Sequence, residues 1–448
     1  MALLVSARDV ACDVLEAVRL EDAYANLELP GALRRARLDP SDAGFATELT
    51  YGTLRMHGLY DAVISQASGR STTDIDPGVL DILRLGVHQW IALATPAHAV
   101  VDESAELTRR RASRGAIGFV NAVMHRVTEK TADEWVRAVT DGQKPDDALA
   151  IETSHPSWII RAFRSALAHE GRGSQLRELL DSNNEPPRVT LVRLHGESAI
   201  DNTHVGKYSP RALTLSGGDP ASVEAVGSGQ ARVQDEGSQL AALALTRARP
   251  IAAGERWLDM CAGPGGKTAL LAAESLDVGV SITANEVAPH RAQLVRSAVT
   301  GFKHVEVVEG DGRRFGAEEA NSFDRVLVDA PCSGLGALRR RPESRWRRSA
   351  SDVATLTAIQ SDLLMSALRA VKPGGLVAYV TCSPHLVETR SIVDRAITAI
   401  PGVYELDAKA VLASIVREPM ELSGGDLSAQ LWPHRHNTDA MFISLLTK

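Results

Sequence analysis

Apolar residues recur at helical spacing through the first third of the chain, as in the series Val10, Val14 and Val18. Residues four positions apart lie on the same face of an α-helix, with polar residues on the other faces. The same spacing returns close to Val127. We therefore predict that residues 1–135 are all-helical.

Prolines divide this region into shorter helices. We predict helix boundaries near Pro30, Pro77 and Pro96, because proline cannot donate to the helical hydrogen-bond ladder. Short connections between amphipathic helices indicate a bundle. The polar stretch VTDGQKPDDAL, residues 139–149, predicts a linker to a second unit.

The pattern changes after this stretch. A helical start in SHPSWIIRAF gives way to PPRVTLVRL, which predicts a small α+β module over residues 150–232. From residue 233 to 448, short apolar runs alternate with helical ones. This alternation predicts a Rossmann-like α/β domain, in which a mostly parallel sheet carries helices on both faces and binds ligands at the carboxyl ends of its strands. The predicted strands lie in RWLDMC, SITANE, VEVVEGD, FDRVLVDAP, GLVAYVTC and AMFISLL.

Composition narrows the function classes. A chain of 448 residues is long enough for two or three domains. The net charge of −7 argues against a protein that coats nucleic acid indiscriminately, although it allows local basic patches. Four cysteines without zinc-ligand spacing predict reduced thiols and no metal site. The N-terminal residues lack the pattern of a signal peptide or a membrane span, so we expect a cytoplasmic protein with no membrane partner.

A glycine-rich loop, CAGPGGKT, follows the first predicted strand of the α/β domain and begins at Cys261. A Walker loop would need glycine at that position, and a dinucleotide loop would need it where Thr268 stands. Glu286 ends the next strand, where acids bind ribose hydroxyls, and Asp311 ends the third, where a carboxylate can accept from adenine. Each acid alone fits a solvated strand end or a turn. With the loop, they indicate S-adenosylmethionine, which has ribose and adenine but no pyrophosphate.

Two cysteines are predicted at this same edge. The fourth strand ends in VDAPCSG, with Asp329 and Cys332, and the fifth in TCSP, with Cys382. Adjacent strands lie about 4.8 Å apart, so both thiols can face one substrate atom. Carbon 5 of cytosine accepts a methyl group only after a thiolate adds at carbon 6, an acid protonates N3, and a base later removes the hydrogen on carbon 5. The alternative is a packing role for Cys382. The pattern also does not show which of the two thiols is the nucleophile.

The chain resembles a known family over nearly its whole length. CAGPGGKT, DAPCSGLG, YVTCS and HRHNTDAMF resemble the motifs of RNA cytosine-C5 methyltransferases, and DILRLGVHQWIALATPAHAVVDESAEL resembles the antitermination factor NusB. A NusB-like bundle, a small module containing SHPSWIIR and this catalytic domain together resemble the RsmB (Fmu/Sun) family of 16S ribosomal RNA methyltransferases.

The resemblance implies a role for each reacting residue. It implies that Cys382 is the nucleophile, that Cys332 helps to release the product, that Asp329 holds the N3 or amino edge of the cytosine, and that Lys267 lies near the base. The S-adenosylmethionine site that it implies is formed by Cys261, Ala262, Gly263, Pro264, Gly265, Gly266, Lys267, Glu286, Asp311 and Asp329.

Three positions depart from the family pattern. Gly263 replaces the more usual alanine, Thr389 stands where the family often has asparagine, and Ala440 replaces a common glycine. None of these departures removes a reacting group. Thr389 bears on how the substrate is positioned.

The loop after Cys332 is rich in arginine. Arginine forms fork-shaped contacts with phosphate, and the chain as a whole is acidic, so we predict that this loop binds RNA. Trp346 in the same loop can stack on a base, but it is better explained as an anchor within the fold. The second basic run, residues 107–115, fits RNA contact and a solvated helix face equally well. The arginines predicted to contact RNA are Arg339, Arg340, Arg341, Arg345, Arg347 and Arg348.

The leading hypothesis is an S-adenosylmethionine-dependent RNA cytosine-C5 methyltransferase that acts on 16S ribosomal RNA, as a monomer. Its target cytosine must be unpaired or flipped out of a duplex, because a stacked base cannot accept thiol attack at carbon 6. One alternative is a non-catalytic, NusB-like RNA-binding or antitermination factor, which has no chemical need for the two cysteines. The other alternative keeps the chemistry but takes transfer RNA as substrate.

Overall fold

The computed structural model describes residues 5–196 and 199–448. The chain forms two compact units, which differ from the three predicted domains. The segment 338–347, predicted as part of the catalytic domain, belongs to the first unit, and the small module belongs to the second. The first unit comprises the residues up to Arg161, Leu180–Glu185 and Leu338–Arg347; the second comprises Ala162–Leu179, Pro186–Ala337 and Arg348–Lys448.

The first unit is helical, as predicted. The apolar faces of its helices meet in one core, in which Leu49, Ile64 and Leu83 are completely buried. Its helices up to residue 152 are α1 (Ala7–Leu20), α2 (Ala25–Ala36), α3 (Pro40–Arg55), α4 (His57–Ser68), α5 (Pro77–Ile91), α6 (Ala97–Arg111), α7 (Arg114–Thr128), α8 (Ala132–Thr140) and α9 (Pro145–Glu152).

Two of the three predicted helix boundaries are helix starts. Asp76 caps α5, and Pro77 takes the first helical position, where its missing N–H is not needed. Pro96 directly precedes α6. The boundary predicted near Pro30 is wrong, because Pro30 lies inside α2, next to Leu29, whose burial in the core holds this helix in place.

The stretch predicted as a linker is largely helical. Residues 139–149 contain the end of α8 and the first part of α9, which leaves only residues 141–144 between them. Pro145 occupies the first turn of α9, and Asp146 and Asp147 follow it there, where negative charge is favourable. Two further helices follow, α10 (Ser157–His169) and α11 (Leu176–Ser182).

The small module of the second unit is an antiparallel sheet. Its elements are β1 (Thr190–Arg193), β2 (Thr203–Val205), β3 (Ala212–Leu215), α12 (Glu224–Gly227) and β4 (Ala231–Val233). The strand order is β2-β3-β1-β4. Leu191 and Leu213 pack together in its small core. The β-rich run predicted after the two prolines is therefore β1.

The large sheet of the second unit confirms the predicted α/β domain. It has the order β10-β12-β9-β8-β5-β6-β7, with β11 paired to β12. Strands β7, β6, β5, β8 and β9 are parallel, and β12 is antiparallel to both β9 and β10. The elements are α13 (Glu236–Arg247), β5 (Arg256–Asp259), α14 (Gly266–Glu274), β6 (Ser281–Glu286), α15 (Pro289–Ala298), β7 (Val305–Glu309), α16 (Phe315–Glu318), β8 (Phe323–Asp329), α17 (Ser344–Arg347, in the first unit), α18 (Ala350–Ala370), β9 (Val371–Thr381), α19 (Arg390–Ala399), β10 (Tyr404–Leu406), α20 (Ala408–Ile415), β11 (Ala429–Gln430), α21 (Pro433–His436) and β12 (Phe442–Thr447).

Strand β8 shows why this sheet is covered on both faces. Successive side chains of a strand point to opposite faces. Leu327 packs into one core with Leu243 of α13, while Val326 and Val328 pack into another with Leu364 of α18. The chain moves from β5 outward to β7 and then returns to β8 on the other side of β5. Such a reversal opens a ligand crevice at the carboxyl ends of β5 and β8.

Candidate active site

The carboxyl ends of β8 and β9 bring two sulfur atoms together. β8 ends at Asp329 and β9 at Thr381, and the two strands are parallel neighbours. Cys332 and Cys382 lie in the loops that follow, with their Sγ atoms 3.4 Å apart. Both cysteines are half-buried thiols that are not part of a disulfide. The structure therefore places both thiols within reach of one substrate atom.

A half-buried ion pair lies at the same edge of the sheet. The Nζ atom of Lys267, on α14, donates to Oδ2 of Asp329 at 2.7 Å. Burial opposes the charge of the Lys267 ammonium, but Asp329, with smaller contributions from Cys382 and Asp259, raises the pKa of Lys267 above its ordinary value. The site therefore holds a stable cation whose charge acts on both Asp329 and Cys382.

Two buried acids of this unit, Asp259 and Glu388, are absent from the sequence prediction. Asp259 ends β5 within the apolar run WLDM, so the sequence indicated only a buried strand there and not a functional acid. Its Oδ2 accepts from Thr268 Oγ1 at 2.7 Å, and its Oδ1 has no hydrogen-bond partner among the described residues. Burial and the charge of Asp329 raise the pKa of Asp259 to about 7, against the opposing effects of Thr268 and Lys267.

We expect Asp259→Asn to stabilise the protein relative to the wild type by an amount that grows with pH. Because folding raises the pKa of Asp259, the free energy of unfolding of the wild type falls as the pH rises above 3.8, the ordinary pKa of this carboxyl. The fall ends near pH 7, where the carboxyl also ionises in the folded protein. This interval caps the effect at about 4 kcal/mol. Thermal unfolding of both proteins across this pH range measures it, and a difference in Tm that stays constant with pH would contradict the raised pKa.

The glycine-rich loop is fastened to the end of β6. The Gly263 N–H donates to Glu286 Oε2 at 3.0 Å, and Ala288 N–H donates to Oε1 at 3.0 Å. Arg291 donates to the Gly263 carbonyl at 2.5 Å. A Cβ atom on Gly263 would lie 2.3 Å from Glu286 Oε2. The departure from alanine at Gly263 therefore matches a close approach between this loop and Glu286.

Asp311 was predicted to end the third strand of the domain. Instead, it follows the end of β7 by two residues and caps a 3-10 turn. Its carboxylate accepts from Arg313, with Nη2 to Oδ2 at 2.6 Å. The Arg313 hydrogen bonds hold the pKa of Asp311 below its ordinary value, against a small opposing effect of burial. Asp311 thus carries a stable negative charge at the same edge of the sheet as Glu286.

The edge formed by β5, β6 and β7 fits the predicted cofactor. The glycine loop, Glu286 and Asp311 supply donors and acceptors for ribose and adenine. Two buried acceptors at the ends of these strands, Asp259 Oδ1 and Asn285 Oδ1, have no hydrogen-bond partner among the described residues. Such unpaired buried oxygens are uncommon unless a ligand or water completes them. The donor set therefore suits a polar ligand at this edge.

The arginine-rich segment corrects part of the predicted RNA contact. Arg345 is completely buried in the first unit. Its Nη1 donates to the carbonyls of Arg55 and Ser154 and to Asn184 Oδ1, and its Nη2 donates to the carbonyl of Asn183, over 2.8–3.1 Å. Burial, followed by the charge of Arg55, lowers the pKa of Arg345 to about 9. Arg345 therefore stabilises the helical unit and cannot contact RNA in this structure.

We expect Arg345→Met to lower the free energy of unfolding by on the order of 3 kcal/mol, because it leaves buried acceptors without a donor. The midpoint of urea unfolding measures this change. Arg348→Met, at an exposed position of the same arginine run, is the matched control and should keep the wild-type midpoint. An Arg345→Met protein with an unchanged midpoint and weakened RNA binding would restore the sequence prediction.

The other arginines of this run differ in exposure. Arg339 is buried, so it is not available to a phosphate. Arg347 is half-buried, and it donates to the carbonyl of Val18 and pairs with Asp22, so contact with a phosphate would have to replace these partners. Arg340 is half-buried, and Arg341 and Arg348 are exposed. RNA contact stays a prediction for these three.

Trp346 and the second basic run, residues 107–115, have partners within the first unit. The Trp346 ring lies 5.0 Å from the ring of His57, but the residue is 40% exposed, so its roles as an anchor and as a stacking surface for a base both stay predictions. In the second basic run, Arg110 and Arg111 pair with Asp9 of α1 at 3.3 Å and 3.2 Å. These pairs favour a structural role for this part of the run.

The described ranges, 5–196 and 199–448, contain no group of three His, Cys, Asp or Glu side chains arranged to hold a metal ion. Within the same ranges, no helix is both long and apolar enough to cross a bilayer. The longest helix, α18, has 21 residues but carries Asp352, Asp362 and Arg369.

Comparison with known proteins agrees with this architecture. The sequence profile of the family described as 16S rRNA methyltransferase RsmB/F matches residues 249–447, and the NusB family profile matches residues 5–129. The crystal structure of PH0851 has the same fold, with a TM-score of 0.80, 23% identity and coverage of 98% of both chains.

Two curated relatives align with almost the whole chain. "Putative methyltransferase Rv1407" of Mycobacterium tuberculosis (strain ATCC 25618 / H37Rv) is 45% identical over 99% of this chain and 96% of its own length. "Probable ribosomal RNA small subunit methyltransferase B" of Bacillus subtilis (strain 168) is 30% identical over 99% of each chain. Full-length similarity at this level, with both profiles in the same order, shows that the chain belongs to the RsmB/F family of methyltransferases and carries a NusB-type N-terminal domain.

Proposed function

We propose that this protein transfers a methyl group from S-adenosylmethionine to carbon 5 of a cytosine in RNA, through a covalent cysteine adduct at carbon 6. The observation that carries the proposal is the pair of thiols, with Sγ atoms 3.4 Å apart, at the strand ends that also hold the Lys267–Asp329 ion pair. A simple packing role would need neither the second thiol nor the cation.

The charges around the thiols support Cys382 as the nucleophile. Lys267 interacts electrostatically with Cys382, and a nearby cation favours a thiolate. For Cys332, the hydrogen bond to Cys382 and burial, followed by the charges of Cys382 and Glu388, raise the pKa well above its ordinary value. Cys332 thus keeps its proton and can donate it toward the Cys382 thiolate.

The same geometry suggests how Cys332 assists release. Addition of the Cys382 thiolate to carbon 6 breaks the double bond between carbons 5 and 6, moves its electron pair toward N3, which gains a proton, and converts that sulfur into a neutral thioether. Carbon 5 then uses this electron pair to accept the methyl group, and it carries both the methyl group and a hydrogen. The thiolate charge that held the proton on Cys332 is then gone, so the pKa of Cys332 falls. Cys332 then releases its own proton to solvent, and the resulting thiolate is the base that accepts the proton from carbon 5. Loss of that proton restores the double bond and expels Cys382 as a thiolate.

The remaining residues bind and orient. Asp329, held by Lys267 at the carboxyl end of β8, would bind the N3 or amino edge of the cytosine. The glycine loop, Glu286 and Asp311 would hold the cofactor. When bound, S-adenosylmethionine supplies a methyl group that its sulfonium makes electrophilic.

The proposed substrate is 16S ribosomal RNA with the target cytosine unpaired or flipped. The name of the Bacillus subtilis relative, a ribosomal RNA small subunit methyltransferase, supports this substrate. The match of residues 5–129 to the NusB family supports a binding role for the first unit beside the catalysis of the second. A transfer RNA substrate would use the same chemistry and is separated from this one by experiment.

The test is methyl transfer from labelled S-adenosylmethionine to three purified RNAs: 16S, 23S and transfer RNA. Digestion to nucleosides identifies the product, and bisulfite sequencing locates it. We expect 5-methylcytosine in 16S RNA alone. Label in transfer RNA alone would change the substrate, and no label in any RNA at saturating cofactor would contradict the enzyme and favour a binding factor.

A further inference from the structure

A buried carboxylate lies beneath the two cysteine loops. Glu388 is completely buried and accepts from the main-chain N–H of Ser333 at 2.7 Å and from its hydroxyl at 2.5 Å. It also accepts from the Ser383 hydroxyl at 2.6 Å. The two serine hydroxyls are themselves 3.0 Å apart. One carboxylate therefore joins the residue after Cys332 to the residue after Cys382.

The network continues to the other side of Cys332. Gln360, on α18, donates to Glu388 Oε1 at 3.1 Å and to the carbonyl of Pro331 at 2.9 Å. The residues on both sides of Cys332 are thus hydrogen-bonded to Glu388 or to its partner. The main chain of Glu388 is fixed as well, since its carbonyl accepts from Tyr379 Oη at 2.7 Å.

We propose that Glu388 is a positioning residue that sets the separation of the two catalytic thiols, an inference that rests on the proposed function. The sulfur atoms sit on separate loops, and covalent addition followed by proton removal needs both at one pyrimidine ring. A short network anchored on one buried carboxylate holds both loops more rigidly than either strand end alone. Besides holding the loop in place, Glu388 has an electrostatic effect on Cys332, because its negative charge helps to keep that thiol protonated.

Glutamine at this position tests the role with little change in shape. Glu388→Gln keeps one acceptor oxygen but replaces the other with an NH2 group, which cannot accept from a serine hydroxyl. We expect kcat for RNA methylation to fall on the order of 10²-fold, because small misplacement of reacting groups has effects of this size. Binding of S-adenosylmethionine and of RNA, measured by equilibrium titration, should stay within about twofold, since Glu388 is completely buried and its partners are protein groups.

A matched control is available in the same unit. Glu236 is also a buried carboxylate, and it accepts from the main-chain N–H groups of Tyr208 and Ser209 at 2.5 Å and 2.6 Å, in the loop between β2 and β3 and not in either cysteine loop. Glu236→Gln removes a similar buried charge and should keep kcat near the wild-type value. Equal losses of kcat in Glu236→Gln and Glu388→Gln would overturn the proposal in favour of general destabilisation.

A second readout separates positioning from folding. In peptide-mapped alkylation with iodoacetamide, the pH midpoint for Cys332 should be lower in Glu388→Gln than in the wild type, because a negative charge has been removed. A structural role alone would leave that midpoint unchanged, and an unchanged midpoint together with wild-type kcat would overturn the proposal. If Glu388→Gln does not fold, the double variant Ser333→Ala/Ser383→Ala removes the donors instead, and it should show the same loss of kcat.

The wild-type protein distinguishes the two levels of failure. If it forms no 5-methylcytosine, the proposed function fails, and the role of Glu388 fails with it. If the wild type methylates cytosine and the serine double variant does so at the same kcat, only the positioning role is overturned.

Discussion

Replacing Cys332 with alanine is expected to leave a covalent protein–RNA complex on a denaturing gel when 16S RNA and S-adenosylmethionine are both present. Replacing Cys382 with alanine should abolish both the complex and methylation. We expect each substitution to reduce turnover by on the order of 10³-fold or more, since each removes a group that takes part in bond changes. Only the alanine at position 332 should trap the intermediate.

This asymmetry follows from the charges that act on the sulfur pair. Lys267 interacts electrostatically with Cys382 and favours its thiolate, whereas Glu388 acts on Cys332 and favours its thiol. The nucleophile is therefore generated at Cys382 even when Cys332 is absent. Without Cys332, however, no thiolate is present to take the proton from carbon 5, so the adduct persists.

Cys12→Ala is the control, because Cys12 is a free thiol buried in the core of the first unit. It should methylate RNA at the wild-type rate and trap nothing. A trapped complex with Cys382→Ala and none with Cys332→Ala would exchange the two roles. If neither variant traps RNA while both still bind it, the covalent mechanism is contradicted.

The positions at strand ends were the part of the site that the sequence could predict. An apolar run that stops at Asp329, or at Cys382, marks the edge of a parallel sheet, and neighbouring edges bring such residues together. The order of the strands is a different matter. Alternating strands and helices do not tell which strand lies next to β8, and the 3.4 Å separation of the two sulfurs depends on β9 being that neighbour.

The errors have a common physical origin. Arg345 was predicted to bind RNA because arginine suits phosphate and the chain is acidic, yet its two terminal nitrogens donate to four oxygen acceptors from distant parts of the first unit. Glu388 was not predicted at all, yet two serines and a glutamine donate hydrogen bonds to it. Burial of a charged group depends on partners far away in the sequence, and no local pattern reveals them.

Replacing Lys267 with methionine is expected to reduce the rate of adduct formation on the order of 10³-fold and to move the rise of that rate to more alkaline pH. The Lys267 ammonium, whose pKa is raised, is charged throughout the working range. Removing a cation raises the pKa of a neighbouring thiol, so Cys382 would become a thiolate only at higher pH. Single-turnover rates measured as a function of pH test both parts, with labelled cofactor in excess.

The same two strands provide a matched control at their opposite ends. Lys372 and Asp324 form an ion pair with Nζ and Oδ2 2.8 Å apart, at the start of β9 and near the start of β8. Lys372→Met removes a lysine from an ion pair of the same kind but far along the strands from the thiols, so its rate and pH dependence should match the wild type. If Lys372→Met lowers the single-turnover rate as much as Lys267→Met does, both ion pairs act only by stabilising the sheet. If Lys267 stabilises the Cys382 thiolate, its removal must shift the pH dependence. A wild-type pH dependence in Lys267→Met would therefore show that another group generates this thiolate.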